Sequence, residues 1–241
     1  TVSNGYKSAG VNQQPYLTDK SRPYEPEFIQ NFKLGIKRIS STNQTQLSVF
    51  YSKRKNQQVS VSSQQVEGDP NSFLFYTGNA ASGNLQGLEW EHSQIISSSY
   101  KMNASIGYLN TWVNRFSYET SDGESYGGDR KAAMAPEFMG SIGLDFHNES
   151  GFFISALSSY KSAYYFSDSH DQKSKPYSLV NLTIGKKSRN TTIKFWIKNL
   201  LDERYTVRGF YFGLIPPDYQ DKLWISYGDP RQVGITLDYN L

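Results

Sequence analysis

The sequence contains no cysteine, which removes disulfide frameworks, thiolate zinc sites and cysteine nucleophiles but assigns no compartment. Long apolar runs are also missing. No stretch approaches the roughly 18 residues that a transmembrane helix needs, so a helical membrane protein is excluded. Charge of one sign is absent as well: 25 Lys plus Arg stand against 22 Asp plus Glu, a net +3 over 241 residues. The signs are interspersed, whereas a nucleic-acid binder would concentrate Lys and Arg on one face, so no nucleic-acid partner is expected. There is no phosphate loop, dinucleotide motif or zinc spacing, and neither a cofactor nor a metal is expected. Thr1 is preceded by no Met and followed by no basic n-region or apolar h-region, and the chain reads as a mature or excised piece.

Aromatics are abundant instead: 18 Tyr, 14 Phe and 4 Trp. With Ser, Asn, Gln and Gly they favour strands and turns over helices. Period-two alternation follows. Val233, Ile235, Leu237, Tyr239 and Leu241 alternate with Gly234, Thr236, Asp238 and Asn240. Phe138, Gly140, Ile142, Leu144 and Phe146 alternate with Ser141, Gly143 and Asp145, and Ile193, Phe195 and Ile197 with Lys194, Trp196 and Lys198. Phe28, Phe32, Leu34 and Ile36 are set against Asn31, Lys33, Gly35 and Lys37. In an extended chain the two sets point to opposite faces. The protein is read as all-β.

The pattern predicts nine strands: Glu27–Ile39, Thr45–Val66, Asn84–Ser93, Tyr100–Val113, Pro136–Phe146, Gly151–Tyr164, Tyr177–Lys186, Thr191–Val207 and Arg231–Leu241. Their connections alternate short and long, with the long ones at Glu67–Gly83, Asn114–Ala135, Tyr165–Pro176 and Arg208–Pro230. An antiparallel up-and-down meander that sorts its turns this way reads as a transmembrane β-barrel, short turns periplasmic and long loops outside. Lys or Arg facing lipid at mid-bilayer costs about 2–4 kcal/mol, so Lys33, Lys37, Lys194 and Lys198 are assigned to the lumen and their apolar alternates to lipid. Glycines recur on the lumen side at 35, 107, 143, 185 and 234, either to relieve strand curvature or to leave room for something packed inside. Nine strands cannot close a barrel with both termini periplasmic, so partner strands are expected upstream of Thr1.

Several segments carry a family resemblance. Asn199-Leu200-Leu201-Asp202-Glu203-Arg204-Tyr205 resembles the NL-aromatic-D-x-x-Y motif near the end of TonB-dependent outer-membrane receptors. Gly228-Asp229-Pro230-Arg231 is similar to the G-x-P-R segment opening their last strand. Pro26-Glu27-Phe28 with Asn31, Leu34, Gly35 and Lys37, then Gly87-Leu88-Glu89, then Ala135-Pro136, match further strands of that family in order. The resemblance implies that the chain is the C-terminal portion of one barrel of roughly 22 strands, with the plug upstream and outside this sequence. It also implies TonB as a partner through that plug, lipid and lipopolysaccharide around the wall, and the barrel assembly machinery at the last strand. Leu201 and the terminal Leu241 stand where the family usually has aromatics.

Candidate ligand contacts are the aromatics of the long loops: Phe210, Tyr211, Phe212, Tyr219 and Trp224, with Tyr227, and Phe116, Tyr118 and Tyr126. Rings on such loops either stack on a ligand or pack on one another and line an interfacial girdle. Ser167-Asp168-Ser169-His170-Asp171 reads as hydrated outer loop, with a weak divalent-cation site at Asp168 and Asp171 as the alternative. Glu89 and Glu91 share a face and are expected to meet water or basic groups of a plug. Lys53-Arg54-Lys55 reads as a solvated strand rim, or as a contact for an anion. No acid, base and nucleophile set emerges, so catalysis is not expected. The leading functional reading is a receptor that captures and imports a small nutrient or metal chelate, such as iron–siderophore, across the outer membrane. A passive porin-like barrel and a soluble carbohydrate-binding module are the alternatives.

Overall fold

The computed structural model describes the chain from Thr1 to Asn240 except Tyr16, Ser121, Leu214 and Asp221; Leu241 and the side chain of Ala81 also lie outside the described residues, and with Leu241 the point about its missing terminal aromatic. No described helix is long and apolar enough to cross a membrane. The strands run in order β1 (Val2–Lys7), β2 (Gly10–Val11), β3 (Pro23–Tyr24), β4 (Glu27–Ile39), β5 (Asn43–Gln64), β6 (Phe73–Ile95), β7 (Tyr100–Val113) and β8 (Phe116–Thr120). They continue with β9 (Gly123–Gly127), β10 (Phe138–His147), β11 (Phe152–Lys161), β12 (Tyr177–Lys187), β13 (Thr191–Lys198), β14 (Thr206–Phe212), β15 (Lys222–Tyr227) and β16 (Gln232–Tyr239). Ten of them form one sheet in the order β1-β4-β5-β6-β7-β10-β11-β12-β13-β16, every neighbour antiparallel. The pairs β2–β3, β8–β9 and β14–β15 are small separate ribbons in the long connections.

The wall therefore has ten strands where the alternation predicts nine. The extra strand, β1, contains Asn4-Gly5, a turn-like dipeptide that masks its pairing of Val2 with Phe32 and Tyr6 with Phe28. An even count sends both ends of the sheet to the side of the short turns, which are residues 40–42, 96–99, 148–151 and 188–190. The long connections, residues 8–26, 65–72, 114–137, 162–176 and 199–231, gather at the other side. β5 and β6 are 22 and 23 residues long and rise beyond their neighbours on that side.

Register shows why the faces sort. Residues directly opposite one another share a face. Leu34, Val49, Leu88, Tyr108 and Phe138 are successive cross-strand partners, as are Leu144, Ala156, Leu182, Ile197 and Val233. On the opposite face the row runs Lys37, Gln46, Glu91, Ser105, Ser141 and Ser159. Leu34, Ile36 and Ile235 are 70%, 69% and 75% exposed, so the apolar face is a continuous uncovered surface of the kind that meets lipid. Part of the polar face satisfies itself across strands. Lys33 Nζ donates to Glu89 Oε2 at 3.0 Å and Ser48 Oγ to the same oxygen at 3.1 Å, while Lys194 and Asp238 pair at 2.7 Å. Glu89 thus takes its base from the wall itself, where the sequence pointed to water or a plug.

The polar face also explains three of its glycines. Phe50 faces Gly87, Phe153 faces Gly185 and Trp196 faces Gly234, each a direct cross-strand pair. A Cβ added at these glycines would lie 2.6, 2.4 and 2.2 Å from the partner ring. Room at Gly185 and Gly234 is thus filled from within the sheet, neither kept open for an inserted domain nor needed for curvature alone. Gly35, Gly107 and Gly143 meet only ordinary contacts or open space.

A small core stands above the wall, where Val59 and Val61 of β5, Leu74 and Tyr76 of β6, Val113 and Phe116 pack with Leu17. Asn56 takes a left-handed φ of 51°. Buried Glu27 braces this kink, accepting Arg54 Nε at 2.6 Å and the Gln58 backbone N–H at 2.9 Å. The Lys53-Arg54-Lys55 run is therefore split, with Arg54 turned onto Glu27 and only Lys53 and Lys55 left exposed.

The strand expected over Thr191–Val207 stops at Lys198. Asn199 and Asp202 adopt left-handed φ values of 49° and 55°, which no strand continues. The buried Asn199 side chain then replaces the lost ladder: Nδ2 donates to the carbonyls of Glu203 (2.9 Å) and Asp229 (3.1 Å), and Oδ1 accepts the Glu203 N–H at 2.9 Å. Asp202 accepts the Arg231 backbone N–H at 2.8 Å, and the Tyr205 ring covers Gly228. The two segments on which the C-terminal resemblance rests, 199–205 and 228–231, form one latch joining β13 to β16.

Candidate ligand-binding cleft

Four long connections converge beside the small core and enclose a cleft of about 950 Å³. β5 and the turn after it supply Ser62, Ser63, Gln64, Glu67 and Gly68, and the β8–β9 ribbon supplies Tyr118, Thr120, Asp122 and Ser125. Ser169 and His170 come from the 162–176 loop, and Tyr211, Pro217, Asp218, Tyr219 and Gln220 from the β14–β15 region. Cross-links hold the pieces together. Tyr118 Oη donates to the Ser169 carbonyl at 3.0 Å, Ser63 Oγ to the Glu119 carbonyl at 2.9 Å, and the Ser62 N–H to Ser169 Oγ at 3.3 Å. His170 and Tyr211 meet edge to face at 5.1 Å. Gly68 takes a left-handed φ of 74° in the 65–72 turn, beside the Asp218 carbonyl.

The nine candidate aromatics part company here, Tyr227 pairing with Thr206 across the β14–β15 ribbon under Arg204 at 4.2 Å. Tyr118, Tyr211 and Tyr219 line the cleft. Phe116 is 5% exposed and belongs to the core, and Phe212 packs on Phe73 at 4.9 Å, so packing accounts for both rings. Phe210 and Trp224 are cross-strand partners in the β14–β15 ribbon, under Arg208 and Lys222 respectively. Tyr126, half exposed, carries Arg115 at 4.1 Å over its ring. Alternation along β14 turns Tyr211 away from Phe210 and Phe212, which is why neighbours in sequence end in different surroundings.

The 162–176 loop is more ordered than a hydrated loop. Tyr164 and Phe166 are buried, and His170 is shielded enough that burial, reinforced by Arg130, pushes its pKa below the ordinary histidine value against the opposing pull of Asp171. Asp168 Oδ1 accepts the Ala133 N–H at 2.9 Å and Asp171 pairs with Arg130. These carboxylates are engaged elsewhere, and the described residues contain no group of three or more potential metal ligands. Ser62, Glu67, Asp122 and Asp218 were missed by sequence reasoning, because isolated polar residues on separate loops carry no local pattern.

An antiparallel wall with one lipid-suited face, a polar face opposite, and a cleft among its long loops defines an outer-membrane β-barrel wall. The family model for TonB dependent receptor-like β-barrels matches residues 1–200, and the chain belongs to that family. Solved structures agree on the fold. The ferric yersiniabactin uptake receptor FyuA from Yersinia pestis superposes with a TM-score of 0.76 at 17% identity, over 99% of this chain and 34% of its own. The siderophore receptor PiuA from Acinetobacter baumannii gives 0.71 at 14%, over 99% and 33%. The pyoverdine receptor FpvA from Pseudomonas aeruginosa PAO1, bound to pyoverdine, gives 0.66 at 14%, over 100% and 33%. The chain spans about a third of the length of these structures. It is an outer-membrane β-barrel protein, as its resemblance implied, which leaves no place for a soluble carbohydrate-binding module.

Proposed function

We propose that this chain is the C-terminal part of the barrel of an outer-membrane importer, one that captures a scarce small molecule such as an iron–siderophore complex and takes it up with TonB-supplied energy. Its role is capture and passage rather than catalysis. The single observation that carries the reading is the cleft of about 950 Å³ built from the long-loop side of a membrane wall, of a size suited to a compact chelate. The polar face, with its wall-to-wall ion pairs, is the surface on which an upstream plug would rest. The lipid face would meet the membrane and lipopolysaccharide, and β16 would present the last strand to the assembly machinery. Uptake of a labelled ferric chelate tests this in cells with and without the receptor, and before and after collapse of the proton-motive force. The proposal predicts receptor-dependent uptake that stops on collapse; uptake persisting without it would indicate a passive porin.

A further inference from the structure

Among the described residues the Asp, Glu, Lys and Arg side chains of the cleft are of one sign. Glu67, Asp122 and Asp218 line it, and no Lys or Arg does among the described residues. Most cations of the same loops are already engaged. Arg115 lies over Tyr126 at 4.1 Å, Arg130 and Lys173 over Tyr165 at 4.3 and 4.1 Å, Arg208 over Phe210 at 5.3 Å and Lys222 over Trp224 at 5.8 Å. None of those rings faces the cleft. The tyrosines that do, at 118, 211 and 219, carry no protein cation among the described residues. Two buried polar atoms of cleft-lining residues, Ser62 Oγ and His170 Nε2, have no hydrogen-bond partner among the described residues.

Tyrosine rings attract cations through the ring quadrupole, and carboxylates add Coulomb attraction. A polyanion would meet three like charges here with no Lys or Arg among the described lining residues to neutralise them. Deepening the receptor reading above, on which this rests, we infer that the cleft selects a ligand of net positive charge with hydrogen-bonding groups, such as an amine-bearing molecule or a cationic metal chelate, and disfavours polyanionic chelates.

The test uses the full receptor, purified in lipopolysaccharide-free detergent, and two compact metal complexes of opposite charge as probes: hexaamminecobalt(III) and tris(catecholato)iron(III). Calorimetry and competition are expected to give saturable binding of the cation on the order of tenfold or more tighter than the anion. Glu67→Gln with Asp218→Asn should erase most of that preference, and raising the salt concentration should weaken the cation in the unaltered protein. The salt titration needs no variant, so a folding failure of the double variant leaves the inference exposed. An anion bound as tightly as the cation, or a preference unmoved by charge removal and salt, overturns it. Energised import measured in parallel separates the two failures. A receptor that imports an anionic chelate and rejects the cation overturns the charge assignment alone, whereas uptake indifferent to loss of the receptor overturns the reading beneath it.

Discussion

Trp196 occupies the space that a side chain on Gly234 would need. The two are cross-strand partners on β13 and β16, a Cβ on Gly234 would lie 2.2 Å from Trp196 Cζ2, and the indole N–H donates to Thr236 Oγ1 at 3.2 Å. Overpacking of this kind typically costs about 1–3 kcal/mol. Gly234→Ala should lower the urea midpoint of the folded barrel accordingly, followed by its heat-modifiable migration on gels. Gly107→Ala is the control, since only one backbone oxygen lies within 4.0 Å of the added carbon, and it should be near neutral.

Glu27 is 5% exposed and holds both the Arg54 guanidinium and a backbone N–H at the Asn56 kink. Glu27→Ala leaves a half-buried cation unpaired and should destabilise by about 3–5 kcal/mol. Replacing both partners, as Glu27→Gln with Arg54→Met, should recover much of that loss, and a double-mutant cycle on the unfolding free energy measures it.

Asn199 does two things at once, taking a left-handed φ and tying β13 to Asp229 ahead of β16. Asn199→Gly keeps the backbone conformation and loses only the side-chain bonds, for about 1–3 kcal/mol. Asn199→Ala loses both and should cost about 1 kcal/mol more. Equal stabilities for the two variants would show that the backbone conformation is immaterial.

The pH response of the cleft follows from His170. Its neighbours are Tyr211 from β14, Arg130 from the 114–137 connection and Asp171 beside it, and its folded pKa is depressed. The neutral form is therefore the one the fold favours. Stability present above the ordinary histidine value of about 6.5 is lost as the pH falls below it, while the unfolded loop takes up a proton that the folded loop resists. Amide protection in the 162–176 loop, taken relative to the intrinsic exchange rate at each pH, should fall between pH 7.5 and 5, and His170→Gln should remove that fall.

How much of this was legible in the sequence depends on the range of the forces involved. β4 and β7 have the predicted bounds, Glu27–Ile39 and Tyr100–Val113, because uninterrupted alternation between polar turns is a local signal. The start of β6 at Phe73 was lost among the small residues from Gly78 to Gly83, which alternate in nothing. β14 was fused to β13 because the left-handed turn at Asn199 is written in one side chain's hydrogen bonds, not in hydropathy. The latch segments were visible as motifs, but their contact was not. The cleft was the least legible: Ser62, Tyr118, His170 and Asp218 are brought together only by tertiary packing of separate loops.

The central claim is a two-faced wall, and the absence of cysteine makes it directly measurable within this chain. Single cysteines at Ile36, Ile142 and Ile235, and at their neighbours Lys37, Ser141 and Thr236, can be probed in outer membranes with a small water-soluble thiol reagent and a lipid-soluble one. The account predicts that the water-soluble reagent labels positions 37, 141 and 236 while the lipid-soluble reagent labels 36, 142 and 235. Equal labelling of neighbours by the water-soluble reagent, or the reverse alternation, would contradict it.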